Sequence, residues 1–134
     1  METRREQLDW LWRRGSDDAV AAALDRIEDP RERGETHVRA FTVAQRWRPA
    51  TARFIGGRYI DEFYREREPF GEGGRPDAGL LWDLADLYER EKNYRLAEWV
   101  CEFAVAFEMS GEETGRNFER RIAALRGTDE LQRA

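Results

Sequence analysis

Cysteine, histidine and lysine are scarce in this chain of 134 residues, because each of them occurs once, as Cys101, His37 and Lys92. A single cysteine excludes a disulfide within the chain, and Cys101 with His37 cannot form a zinc site without carboxylates or a second chain. We therefore expect no cofactor, no metal site and a cytoplasmic location. The sequence begins charged and has no apolar run of signal-peptide or membrane-spanning length, so we predict no targeting or membrane segment.

The chain also lacks a net positive charge, and its formal net charge at pH 7 is −5. This charge disfavours attraction of the whole molecule to nucleic acid or to an anionic membrane. Residues 36–59 nevertheless contain no acidic residue and five arginines, which are Arg39, Arg46, Arg48, Arg53 and Arg58. From residue 68 onward, fifteen acidic residues outnumber nine basic ones. Aromatic residues alternate with the five arginines, and this combination is typical of surfaces that bind phosphate groups or acidic peptides.

Helical periodicity is abundant, and it is clearest in residues 81–104. Apolar residues recur there at steps of three and four, which places them on one face of a helix. The pattern lapses between Arg90 and Asn93 and then resumes, which predicts two helices joined by a tight turn. The residues that carry the pattern are Leu81, Leu84, Ala85, Tyr88, Tyr94, Ala97, Cys101 and Ala104. Small residues at several of these positions allow the two helices to approach closely, so we predict an antiparallel helical hairpin.

In their identities and spacing, these residues resemble the tetratricopeptide repeat (TPR), a helical hairpin of about 34 residues. The departures are Ala85 for the usual Gly, Cys101 for a usual aromatic residue, and residues 109–111 where a Pro commonly closes the repeat. The resemblance covers about a quarter of the chain. It implies that the first helix of the hairpin lines a concave groove.

The resemblance further implies that Trp82, Asp86, Glu89 and Arg90 point into this groove. An exposed tryptophan at such a place is a credible anchor for a partner peptide. Members of the family that grip a peptide C-terminus use Lys and Asn at these positions, whereas this chain has Trp82, Asp83 and Asp86. We therefore expect a basic or apolar ligand, with packing of Trp82 against a loop or a neighbouring hairpin as the structural alternative.

The remainder of the chain predicts more helical pairs in a single all-α, TPR-like domain that spans residues 1–134. Gly15 is expected to end the first helix and Ser16 to cap the second. A segment with glycine and proline, residues 68–76, is expected to form a loop. The full prediction is about seven helices, in antiparallel hairpins at about 3–28, 35–66 and 77–109, with a C-terminal capping helix at about 112–126. A compact bundle is the alternative to an open superhelix.

We predict a non-enzymatic TPR-like adaptor or scaffold that mediates protein–protein interaction. The groove residues would contact a basic or apolar partner, and the arginine face of residues 36–59 an acidic one. Two alternatives remain: a regulatory nucleic-acid-binding protein that uses this arginine face, and a homodimer whose basic half meets the acidic half of its mate. No catalytic constellation is found, because Cys101 lies at a core position and His37 is interpreted as a surface residue.

Overall fold

The computed structural model describes residues 4–66, 74–107 and 113–133, and in these ranges the chain forms seven α-helices and no strand. The helices are α1 (Arg4–Arg14), α2 (Asp17–Asp25), α3 (Pro30–Trp47), α4 (Pro49–Glu66), α5 (Ala78–Arg90), α6 (Tyr94–Phe107) and α7 (Glu113–Arg133). The prediction of an all-α fold is therefore confirmed. The chain divides into two compact units, unit 1 within residues 1–74 and unit 2 within residues 75–134.

Side-chain caps fix where several helices begin, because each cap accepts a hydrogen bond from an otherwise unpaired backbone N–H of the first turn. Ser16 Oγ accepts from Ala19 N at 3.1 Å, as the sequence predicts. Asp77 and Asn93 do the same at the starts of α5 and α6, with distances of 2.8 and 3.3 Å to the backbone nitrogens of the residues three positions on. These caps place the turns between helices at defined positions in the sequence.

The start of α3 differs from the prediction. The sequence pattern placed the second hairpin at about residue 35 and assigned Asp29 and Pro30 to the end of the preceding helix. Instead, Asp29 Oδ2 accepts a hydrogen bond from Glu32 N at 3.1 Å, and Pro30 occupies the first turn of α3. An Asp-Pro pair suits the start of a helix as well as the break before one, since proline has no N–H to leave unpaired. The helix therefore begins more than a turn earlier.

The last helix also differs, because α7 continues past the predicted end at residue 126 to Arg133. Gly127 does not end it, since its backbone does not adopt the positive φ that glycine uses at a helix C-terminus. Of the other predicted boundaries, residues 3, 109 and 112 and most of the loop at 68–76 lie outside the described residues.

Unit 1 is built on the long antiparallel pair α3 and α4. Helix α1 packs mainly against α3 and only slightly against α2, so the predicted first hairpin is not a closely packed pair. Trp12, Leu24, Phe41, Ile55 and Phe63 are fully buried in its core. A tight turn follows α1 because Gly15 N donates to Leu11 O at 2.7 Å, and a Cβ on Gly15 would lie 2.7 Å from that same oxygen. This close approach explains the glycine.

Unit 2 contains the hairpin that the sequence predicts most clearly. Helices α5 and α6 pack against each other, and α7 packs against α6. The turn between α5 and α6 has Lys92 at φ 62° and a hydrogen bond of 2.9 Å from Asn93 N to Tyr88 O. The predicted core residues Leu81, Leu84, Ala85, Ala97, Cys101 and Ala104 are all fully buried.

Candidate partner-binding site

Three of the four predicted groove residues face α7. The rings of Trp82 and Phe118 meet edge to face with their centroids 5.1 Å apart. The guanidinium carbon of Arg121 lies 4.3 Å from the centroid of the Trp82 ring, which is the geometry of a cation–π contact. Trp82 is 37% exposed, so α7 covers its ring only in part. The structural alternative named a loop or a neighbouring hairpin as the packing partner of Trp82, whereas the contacts seen here come from α7.

Arg121 also binds the two acidic groove residues. Its Nη2 donates to Asp86 Oδ1 and, at 2.9 Å, to Glu89 Oε2, and its Nη1 donates to the backbone oxygen of Trp82 at 3.2 Å. Burial alone would lower the pKa of Arg121, but the hydrogen bonds that it donates to Asp86 and Glu89 raise it above its ordinary value. Asp86 and Glu89 thus already hold a cation from the same unit. The fourth groove residue, Arg90, is exposed at the end of α5.

A cavity of about 280 Å³ opens beside Trp82, between the first turns of α5 and α7. Its walls are mainly apolar and come from Ala78, Gly79, Trp82 and Phe118. Asp83, Thr114 and Asn117 supply the polar groups of its lining, and Asp83 is the charged one. An apolar cleft with a few polar groups is the usual form of a ligand site. The sequence indicated Trp82 and Asp83 here but missed the contribution of α7, because no local pattern reveals which helix packs against α5.

The five arginines of the predicted arginine face have different surroundings in the structure, and three of them bind groups of unit 1. Arg39 Nη2 lies 3.1 Å from Asp9 Oδ1 of α1, and Arg48 Nη1 donates to the backbone oxygen of Gly15. Arg58 Nη2 binds Asp25 of α2 and lies 3.3 Å from Glu62 Oε1. The acids that residues 36–59 lack are thus supplied by α1, by α2 and by the next turn of α4. Arg46 is exposed, and Arg53 is partly exposed.

Sequence reasoning missed a buried polar network in unit 1. Arg33 Nε donates to Glu62 Oε2 at 2.7 Å, its Nη1 donates to the backbone oxygen of Ile27 at 2.6 Å, and its Nη2 donates to Glu66 Oε1 at 3.1 Å. His37 is fully buried beside this pair, so its interpretation as a surface residue was wrong. The available signal was the spacing of Arg33 and His37, four residues apart and in register with the buried face of α3.

The protonation state of His37 follows from its contacts. A carbonyl oxygen only accepts, so His37 Nδ1 donates to Arg33 O, at 2.7 Å. Its Nε2 lies 3.5 Å from Glu62 Oε1. Burial lowers the pKa of His37 below its ordinary value of 6.5, although the Arg33 carbonyl and the charge of Glu62 oppose this shift. His37 is therefore neutral at pH 7.

Cys101 is fully buried on α6, and burial raises the pKa of its thiol to about 11. The protonated thiol packs as a small apolar group, as the sequence predicts. Among the described residues, no group of His, Cys, Asp and Glu side chains is arranged to hold a metal ion. Within the same ranges, no helix combines the length and the apolar character needed to cross a bilayer.

Comparison with known proteins finds no family model, no curated protein and no solved structure that matches this chain. The assignment of the candidate site therefore depends on the contacts and the cavity described above.

Proposed function

We propose that this chain is a non-enzymatic, TPR-like adaptor or scaffold that binds a protein partner through the cavity beside Trp82. The observation that supports this function best is the cavity itself, which has apolar walls, an exposed tryptophan edge and one carboxylate, that of Asp83. Interface anchors are typically side chains that fill such pockets, and Trp is enriched among the residues that carry binding energy. The TPR-like assignment adds the repeat pattern of α5 and α6 as further support.

The chemistry of the cavity favours a partner segment that presents an apolar side chain or a long side chain with a positive end. The apolar walls would cover the carbon atoms of such a side chain, and Asp83 would attract a cation. Arg121 supports this choice, because its own guanidinium already binds to Trp82, Asp86 and Glu89 of α5. Because Asp86 and Glu89 already bind Arg121, we do not include them among the residues that contact the partner. The proposed contact residues are Trp82 and Asp83.

The states of His37 and Cys101 support the non-enzymatic part of the proposal. His37 is buried and neutral, and the thiol of Cys101 is protonated at pH 7. A catalytic base or nucleophile has to reach a substrate in a reactive protonation state. A cytoplasmic location, which the single cysteine favours, belongs to the same proposal.

The test compares partners captured from the native lysate by variants that close the cavity. Thr114 is exposed at the cavity mouth, and Thr114→Trp would fill it with an indole ring. Thr42→Trp is the matched control, since Thr42 is an exposed helical threonine of α3 in unit 1. We expect a partner that binds the wild type and Thr42→Trp but is lost from Thr114→Trp, while circular dichroism stays unchanged. Equal capture by all three proteins would refute the cavity as the binding site.

A further inference from the structure

A corner of unit 1 brings together the end of α1 and the junction of α3 with α4. Arg48, the residue between these two helices, donates from Nη1 to the backbone oxygen of Gly15, which directly follows α1. Thr51 lies in the first turn of α4, and Asp17 is the first residue of α2. Thr51 Oγ1 donates to Asp17 Oδ1 at a distance of 3.0 Å. These two contacts hold residues 13–17 and 46–51 next to each other although they are far apart in the sequence.

The side chains exposed at this corner are mostly basic. Arg13 and Arg14 are exposed in the last turn of α1, and Arg46 is exposed in the last turn of α3. Trp47, the residue after Arg46, is 67% exposed. We call Arg13, Arg14, Arg46 and Trp47 the basic corner. The sequence did not predict it, because two of its arginines precede residues 36–59, and only the fold brings the end of α1 to the junction of α3 and α4.

The charges around the basic corner remain predominantly positive when its acidic neighbours are included. The carboxylates nearby are Asp17, which accepts the hydrogen bond from Thr51, the exposed Asp18, and Asp9, which lies one helical turn before Arg13 and is paired with Arg39. Arg48 adds a further positive charge. Arg39 and Arg58, which the sequence assigned to the same face, are paired with Asp9 and Asp25, so they are not counted in the basic corner.

We propose that the basic corner is a second interaction surface, which binds a short acidic segment of a partner protein. The arginines would pair with carboxylates, and the exposed ring of Trp47 would cover an apolar residue of the segment. A protein segment fits better than nucleic acid, because the corner is compact and the molecule as a whole has a net charge of −5, which repels a long polyanion beyond the corner. This surface lies in unit 1, whereas the cavity beside Trp82 lies in unit 2, and it selects partners of the opposite charge.

The test measures fluorescence anisotropy with two labelled probes, a peptide of glutamates around one leucine and an oligothymidylate. The corner variant combines Arg13→Glu, Arg14→Glu and Arg46→Glu. The control variant combines Arg26→Glu, Arg31→Glu and Arg65→Glu, which give the same change in net charge. These are exposed arginines of unit 1 just after α2, near the start of α3 and near the end of α4, at the ends of these helices opposite to the corner. The peptide should bind the wild type, and more weakly as ionic strength rises from about 0.05 to 0.15 M. The corner variant should lose at least about tenfold in affinity, equivalent to 1.4 kcal/mol, and the control variant less than about threefold.

Two further variants separate specific contacts from loss of folding or of charge. Arg13→Gln with Arg14→Gln and Arg46→Gln removes the attraction without adding repulsion, and it should also weaken peptide binding. Trp47→Ala should weaken binding while Trp99→Ala does not, since Trp99 is an exposed tryptophan of α6 in unit 2 and is no part of the proposed surface. Equal losses in the corner and control variants, the absence of peptide binding, or tighter binding of the oligothymidylate would each overturn the proposal, the last in favour of a nucleic-acid surface.

Discussion

Among single residues, Glu62 is the buried carboxylate of unit 1 that Arg33, Arg58 and His37 approach. Its carboxylate accepts from Arg33 Nε at 2.7 Å, lies 3.3 Å from Arg58 Nη2 and lies 3.5 Å from His37 Nε2. Its side chain is only 8% exposed. A buried carboxylate of this kind is stabilised by its cations, and each cation in turn depends on it.

We predict that Glu62→Gln lowers the free energy of unfolding by about 3 to 5 kcal/mol, because it leaves the buried guanidinium of Arg33 without its closest carboxylate. Urea unfolding at pH 7 measures the loss. Glu66→Gln is the control, since Glu66 also binds Arg33 but its side chain is 36% exposed, and it should cost less than about 1 kcal/mol. Equal losses for the two variants would contradict the role assigned to Glu62.

We also predict that His37 makes the stability of the protein depend on pH. Its pKa in the folded protein is lowered, chiefly by burial, so folding favours the neutral ring. The stability from this group is present in full above about pH 6.5, the ordinary pKa, and is lost as the pH falls through the lower folded value. In His37→Gln, the free energy of unfolding should therefore fall less between pH 7 and pH 5.5 than it does in the wild type. The same fall in both proteins would show that other groups cause it.

The burial of His37 illustrates why some residues could not be placed from the sequence. With the helix start assigned near residue 35, His37 lies in the first turn and points to solvent. Once α3 begins at Pro30, His37 falls in line with Ala40, Phe41 and Ala44 on the buried face. Its partner Glu62 is on another helix, and helix packing, which brings the two together, leaves no local signal in the sequence.

Among the helices, α7 depends most on polar contacts for its position. It buries few large apolar side chains, namely Phe118 and Leu125, over 21 residues. Arg121 binds Asp86 and Glu89 of α5, and Arg126 binds Glu98 and Glu102 of α6. Arg121 is the better shielded of the two arginines, with a side chain 9% exposed against 59%.

We predict that Arg121→Gln destabilises unit 2 by about 1 to 3 kcal/mol, because hydrogen bonds to charged groups are lost and two carboxylates are left close together. Arg126→Gln should have a smaller effect, since solvent screens its exposed pairs. Thermal unfolding followed by circular dichroism measures both changes. A loss in Arg126→Gln equal to that in Arg121→Gln would mean that burial does not set the strength of these contacts.

The helices of unit 2 show which elements a sequence predicts well. Helices α5 and α6 lie where the prediction places them, because a long apolar periodicity is interrupted between Arg90 and Asn93 and resumes at Tyr94. Asn93 also caps α6, which the sequence analysis did not predict. The length of α7 was underestimated because the apolar pattern that predicts this helix ends at Leu125, whereas the helix continues to Arg133. Its contribution to the cavity beside Trp82 was missed because side chains from two helices form that cavity, and only packing combines them.

At the scale of the whole molecule, basic and acidic residues that are separated along the sequence are paired by the fold. The arginines of residues 36–59 are in part neutralised within unit 1 by Asp9, Asp25 and Glu62, which lie before and after them in the sequence. In unit 2, several acids are held by Arg121 and Arg126. A count of charges along the chain therefore overestimated the basic face at Arg39 and Arg58 and missed Arg13 and Arg14.

The division into two compact units predicts that each of them folds without the other. Unit 1 buries Trp12, Phe41 and Phe63 in its own core, and unit 2 buries Leu81, Leu84 and Phe118 in a second one. Fragments 1–74 and 75–134 should both be helical and unfold cooperatively, because domains of about 55 to 65 residues are often stable alone. Circular dichroism during heating measures this. A fragment without a cooperative transition would show that its core needs the rest of the chain, as the single domain predicted from the sequence requires.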